Sequence, residues 1–165
     1  MYFGNHLISI NDIIRIKVSE AIASGTGLLD LSGLGLTNIP KEILAHEHFS
    51  WIDLSYNRLT SIPDWFYALK NIIYVDLSHN SIENLPIGLF MMRSLKRIDL
   101  NHNKLTKVKY WNTENVTLKI LDIGNNRLSS VPEFISSFTV LSRLVLRGNQ
   151  LSTTPNSTLA LWNVF

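Results

Sequence analysis

The apolar positions of this chain recur with a fixed period. Leu31, Leu54, Leu77, Leu100, Ile123 and Leu146 are 23 residues apart, as in 54 minus 31, and no insertion breaks the series. Two positions before each marker stands another aliphatic residue: Leu29, Ile52, Val75, Ile98, Leu121 and Leu144. This alternation predicts one short strand per repeat. Five positions after the marker come Leu36, Leu59, Ile82, Leu105, Leu128 and Leu151, then Ile39, Ile62, Leu85, Val108, Val131 and Thr154, with Pro40, Pro63, Pro86, Pro132 and Pro155 behind five of them. A unit with one apolar face cannot bury it alone, so six consecutive units are expected to stack around a continuous core.

A polar row runs in phase with the apolar ones. Asn57, Asn80, Asn103, Asn126 and Asn149 each follow the marker by three residues. An inward amide there can satisfy turn backbone groups that would otherwise be buried without partners, which marks the row as structural. Segments such as LDLSYNRLTSIP and VDLSHNSIENLP closely resemble the leucine-rich-repeat family. The repeat length and the Ile-Pro or Leu-Pro ending look like the intracellular class found in Ras-binding scaffolds, Roco proteins and many bacterial relatives. The resemblance covers roughly residues 26 to 155. It implies an α/β leucine-rich-repeat solenoid, curved, with short parallel strands on the concave face, helical or irregular convex segments, and an N-terminal helical cap.

The expected division is a cap over residues 1–27, six repeats over 28–155, and a tail or incomplete cap over 156–165. Leu34 replaces asparagine in the first copy, as befits a terminal repeat. Ahead of it, Ser9 and Asp12 form a capping-box pattern and Gly25 supplies a stop, predicting a helix over 9–24. Ile13, Val18, Ala21 and Ile22 are expected to cover the first repeat. At the other end Leu159, Leu161, Trp162 and Phe165 fold over the last repeat, meet a partner, or belong to a longer array. The fourth repeat departs from the pattern. Lys109 replaces proline, and Asn112 and Asn115 stand where other copies carry Phe66, Leu89, Leu69 or Met92, so its convex side is expected to be looser, filled by Tyr110 and Trp111 or bulged for contact.

Side chains alternate along a strand, so the residues flanking the inward aliphatics face outward on the concave side. The central row is Asp30, Asp53, Asp76, Asp99, Asp122 and Val145; before it run Leu28, Trp51, Tyr74, Arg97, Ile120 and Arg143, and after it Ser32, Ser55, Ser78, Asn101, Gly124 and Arg147. Five aspartates one strand apart repel by a few tenths of a kcal/mol per pair, about the cross-strand scale, and nothing in the ladder itself offsets this. Either the ladder is common repeat text or it is an acidic docking strip. Trp51 and Tyr74 form an aromatic patch beside it, read either as a binding hot spot or as aromatic packing between strands. Arg97, Arg143 and Arg147 shift the other half toward positive charge. The candidate partner-binding set is therefore Trp51, Asp53, Tyr74, Asp76, Arg97, Asp99, Asp122, Arg143 and Arg147. A further row, Arg58, Lys104 and Arg127, reads as a solvated edge.

Composition narrows the chemistry. A formal net charge of +2 is too small to point to nucleic acid or an anionic membrane. Cysteine is absent, which excludes disulfides, thiolate metal sites and cysteine nucleophiles, including that of bacterial leucine-rich-repeat ubiquitin ligases. No apolar run is long enough to span a bilayer and no signal peptide is legible, so the expected location is the cytoplasm, or outside after export without a cleavable leader. His79 and His102 occupy equivalent places in neighbouring repeats, where their imidazoles could stack within reach of one metal with Asp76 or Asp99, but the place varies freely, holding Gly33, Tyr56, Asn125 and Gly148 in other copies, which argues for an accidental pair. Ser55 and Ser78 flank aspartates on a flat face without a base, an orienting group and an oxyanion site. The sequence thus points to a non-enzymatic module without cofactor or metal, binding a protein partner, with its oligomeric state open. The alternative is the target-recognition part of a larger enzyme, or of a bacterial effector acting on a host protein.

Overall fold

A computed structural model of the chain describes residues 2–3, 6–106 and 117–152. A short antiparallel pair, β1 (Tyr2–Phe3) and β2 (His6–Leu7), precedes helix α1 (Ile10–Ser24). Six strands follow: β3 (Leu28–Asp30), β4 (Trp51–Asp53), β5 (Tyr74–Asp76), β6 (Arg97–Asp99), β7 (Ile120–Asp122) and β8 (Arg143–Val145). They form one parallel sheet in chain order, each strand paired to the next at the same repeat position, as in Leu29 with Ile52 and Ile52 with Val75. This is the solenoid expected from the period. On the convex side, 3-10 turns span Lys41–Ala45, Asp64–Ala68, Ile87–Met91 and Glu133–Ser137, each starting directly after the repeat's proline. Proline fixes an extended entry and lacks the N–H that a first helical turn leaves unused.

Hydrophobic burial follows the two inward positions of each strand. Leu29, Ile52, Val75, Ile98, Leu121 and Leu144 are 0% exposed, as are five of the six markers, Leu146 retaining 2%. At the strand exit the chain turns sharply while still inside the stack, and the asparagine row supplies the missing partners. Asn80 Nδ2 donates to the carbonyls of Leu54 (2.9 Å) in the preceding repeat and Leu77 (3.1 Å) in its own, while its Oδ1 accepts the Leu59 N–H (2.9 Å). Asn57, Asn103 and Asn126 repeat this arrangement at the same offsets. Asn57 also accepts the N–H of Leu34, which is how the first copy manages without its own asparagine.

The cap differs in detail from the sequence-based expectation. The capping box forms, Ser9 Oγ accepting the Asp12 N–H and the Asp12 carboxylate accepting the Ser9 N–H, both at 3.2 Å, and Gly25 closes the helix at φ 62°. Against β3, however, the helix buries Ile14 and Val18 with Ala21 alongside, whereas Ile22 is exposed and Ile13 only half-buried. Residues i, i+4 and i+7 share one stripe of an α-helix, and the stripe facing the first repeat starts at Ile14.

The convex wall also departs from simple stacking. Strands two repeats apart are separated by about 9.6 Å, twice the usual inter-strand spacing. Yet the Phe90 ring of the third repeat lies 5.4 Å from Phe134 and 5.5 Å from Phe138 of the fifth, and those two are 5.4 Å apart. The convex walls of these repeats therefore meet directly through Phe90, Phe134 and Phe138. Tyr110, Trp111, Asn112 and Asn115, and the tail residues Leu159, Leu161, Trp162 and Phe165, lie outside the described residues.

Removing one member of the asparagine row should be far more damaging than its small apolar content suggests. Asn80→Ala strands the Leu59 N–H in the interior and leaves the Leu54 and Leu77 carbonyls to the amides of Asn57 and Asn103 alone, and is expected to cost about 1–3 kcal/mol, the range for one unsatisfied buried group. Thr60→Ala, at an exposed position, should stay within about 0.5 kcal/mol. Urea unfolding of both variants checks the contrast; equal midpoints would show that the row contributes little.

Candidate functional site

The concave face carries three columns of side chains, each set by the in-register pairing of β3 to β8. The first contains Trp51, Tyr74 and Arg97, brought side by side by the strand register. Trp51 and Tyr74 have ring centroids 4.8 Å apart and tilted by 43°, and the Arg97 guanidinium lies 4.5 Å above the Tyr74 ring. Trp51 remains 43% exposed. The result is one continuous stack of two aromatics and a cation, in which each member limits its neighbour's freedom. The Tyr74 hydroxyl donates to Asp76 Oδ2 at 2.9 Å, and burial together with the Asp76 charge raises its pKa well above the ordinary tyrosine value.

The second column is the aspartate ladder, and here the structure corrects the expectation that nothing offsets its repulsion. In the five repeats that carry the aspartate, Oδ1 accepts the backbone N–H two residues on: Asp30 from Ser32, Asp53 from Ser55, Asp76 from Ser78 and Asp122 from Gly124 at 2.9 Å, and Asp99 from Asn101 at 3.0 Å. Such charge-assisted bonds to backbone N–H groups stabilise the carboxylates. The second oxygens have separate fates. Asp30 Oδ2 pairs with Lys17 at 3.6 Å, Asp76 Oδ2 takes the Tyr74 hydroxyl, Asp99 Oδ2 faces Arg97 at 4.0 Å, and Asp122 Oδ2 accepts weakly from Asn101 at 3.4 Å. At Asp53, no donor among the described residues reaches Oδ2. Val145 ends the row buried at 6%, so the ladder stops one strand short of the sheet edge.

Titration differs along the ladder. At Asp30 burial raises the carboxyl's pKa, but the Ser32 hydroxyl and N–H, with Lys17, outweigh it and hold it below the ordinary value. At Asp99 burial dominates; Asp122 and Asp76 add to it, against the Asn101 N–H and Arg97, and the carboxyl is pushed up to about 6.

The third column contains the His79 and His102 pair noted in the sequence and extends it by Tyr56. Tyr56, His79 and His102 precede the structural asparagines, where the backbone is left-handed, with φ of 54°, 53° and 53°. Asn125 continues the row at 49°, and Gly33 and Gly148 end it at 66° and 71°. The place varies in side-chain chemistry but not in backbone angle. Glycine, asparagine and histidine share tolerance of positive φ, and that tolerance was the available signal. Their rings stack: Tyr56 on His79 at 4.1 Å and 7°, His79 on His102 at 4.3 Å and 17°. Burial and the neighbouring His102 depress the His79 pKa, Asp76 opposing them. Among the described residues, no group of three or more His, Cys, Asp or Glu side chains is placed to hold a metal ion.

Of the remaining candidates, Arg143 and Arg147 are exposed at the far edge of the sheet, and Asp122 is half-buried. Arg58 and Arg127 are exposed and Lys104 half-buried along the turn edge. No helix among the described residues is long and apolar enough to cross a membrane.

Compared with known families, residues 28–82 match the family described as Leucine rich repeat, and residues 117–138 match a second family of the same description. Among curated proteins, none matches the chain.

Because its native carboxyl binds a proton more strongly than the unfolded value of 3.8, Asp99 contributes stability that is fully present below pH about 4 and is lost as pH rises through about 6. Asp99→Asn keeps an oxygen for the Asn101 N–H and removes the charge. It should flatten that part of the stability profile and leave the protein more stable than wild type at neutral pH by on the order of 1 kcal/mol. Parallel profiles for the two proteins in urea titrations across this range would contradict the assignment.

Proposed function

Because the chain is a leucine-rich-repeat protein, a class that generally serves as protein-interaction modules rather than catalysts, we propose that it binds a partner protein on its concave face. The observation that carries this reading is the stack of Trp51, Tyr74 and Arg97, which leaves a tryptophan 43% exposed on a rigid sheet beside a row of carboxylates. A large aromatic held in one orientation loses little further entropy on binding, which is why such residues anchor interfaces. Asp53, Asp76, Asp99 and Asp122 give this half of the face its acidic character, while Arg143 and Arg147 make the β8 end basic, so the partner would run along the face with its cationic end over Trp51. The repeats would perform the same recognition if they choose the target of an attached enzyme or effector domain.

The ladder's backbone bonds change how this is tested. Lysine at Asp76 or Asp99 would remove an N–H acceptor as well as a charge, so exposed positions are better probes. With a photo-crosslinking amino acid at position 143, the purified chain should capture a partner from lysate of the source cells, and the same probe at convex Met91 should not. Trp51→Ala should weaken that capture at least about tenfold, the order expected for an aromatic hot spot, with unfolding unchanged. Crosslinks from Met91 alone would move the interface to the convex side.

A further inference from the structure

The ring column at the left-handed turns ends on an open face. Tyr56 stacks on His79 on one side. On the other side the equivalent position of the neighbouring repeat is Gly33, which has no side chain, and a Cβ placed there would meet no atom within 4 Å. Tyr56 is accordingly 62% exposed, more than Trp51 at 43%. The column thus stops one layer early, leaving space for one flat group.

Charge decides which flat group fits. Asp53, three residues before Tyr56 in the same repeat, has Oδ1 engaged by the Ser55 N–H, and no described residue donates to its Oδ2. Its in-register neighbours in the ladder, Asp30 and Asp76, are already engaged by Lys17 and by the Tyr74 hydroxyl. The molecule itself shows what such an arrangement accepts: in the first column the planar guanidinium of Arg97 covers the Tyr74 ring at 4.5 Å while facing Asp99 Oδ2 at 4.0 Å. An aromatic face next to a carboxylate suits guanidinium better than ammonium, since the guanidinium is flat, weakly hydrated and able to stack and donate together.

We propose that the open face of Tyr56 above Gly33, together with the unengaged Asp53 carboxylate oxygen, receives an arginine side chain of the partner protein. This rests on the concave-face reading and gives it a specific contact. The guanidinium would continue the Tyr56–His79–His102 stack by one layer and satisfy the one ladder carboxylate that lacks a second donor among the described residues.

The probe is N-acetyl-arginine amide, titrated into isotope-labelled protein while the amide resonances of Gly33, Ser55 and Tyr56 are followed. Saturable shifts at these positions are expected, with binding at least about fivefold weaker for the lysine analogue, which keeps the charge but not the plane. The citrulline analogue, flat but uncharged, should give none. Gly33→Asn fills the open layer with a residue that tolerates positive φ, Tyr56→Asn copies what Asn125 does natively, and Asp53→Asn keeps the backbone acceptor. Each should weaken arginine binding at least about tenfold, as expected for loss of a stacked or charge-assisted contact. Equal binding of citrulline and arginine, or unchanged binding in Asp53→Asn, overturns the proposal; so do shifts given by adenosine monophosphate but not by arginine. Should Gly33→Asn fold poorly, the Asp53 and Tyr56 variants still decide. If arginine fails while crosslinking at position 143 still captures a partner, this contact is wrong and the concave-face reading stands. If crosslinking fails too, both fall.

Discussion

The structure depends on one constraint: a chain that turns inside its own stack must find partners for backbone groups that water cannot reach. The asparagine amide meets it by bonding a carbonyl of the preceding repeat, a carbonyl of its own, and an N–H of the preceding turn. Each amide therefore ties two repeats together at the point where hydrophobic contact alone would leave the register loose. A fixed three-residue spacing from marker to amide follows, because adding one residue between them would carry the side chain out of reach. The apolar rows supply most of the burial free energy, but leucine packing is non-directional; the amides fix the alignment on which every surface column rests.

That alignment explains why single residues become rows. Equivalent positions of β4, β5 and β6 are paired in register, so whatever stands before, between or after the inward aliphatics is repeated at one strand spacing. Stacked rings and like charges are both consequences. For the rings the repeat is favourable, and Trp51–Tyr74–Arg97 and Tyr56–His79–His102 close into contact. For the aspartates it would be unfavourable were each not also a local brace for its strand exit.

Much of this was legible in the sequence, for identifiable reasons. Strands, inward rows, the asparagine ladder and the outward faces follow from periodicity, because side-chain direction in a strand is fixed by residue parity. The helix ends were legible from Ser9, Asp12 and Gly25, since capping is local chemistry. Its buried face was not: Ile13, Ile14, Val18, Ala21 and Ile22 offer more than one apolar stripe, and only docking against β3 selects the one through Ile14 and Val18. The contact of Phe90 with Phe134 and Phe138 joins non-adjacent repeats, which a nearest-neighbour reading of a solenoid does not anticipate. That His79 and His102 share a place was legible from the register, whereas the property common to the whole row, a left-handed backbone angle, was not, because it is not a side-chain type.

The aspartates bear both structural and recognition roles without conflict because a carboxylate has two oxygens. Throughout the ladder Oδ1 serves the fold, accepting the same N–H in each repeat, and asparagine could do as much. The charge is distributed by Oδ2, whose partner changes from Lys17 at Asp30, to a tyrosine hydroxyl at Asp76, to Arg97 at Asp99. Common repeat text and docking strip are therefore not competing descriptions of the ladder. The backbone bond accounts for the residue's recurrence, and the varying second contact sets how much negative charge each repeat presents. Most is presented where Oδ2 meets no donor among the described residues, at Asp53, between the exposed rings of Trp51 and Tyr56.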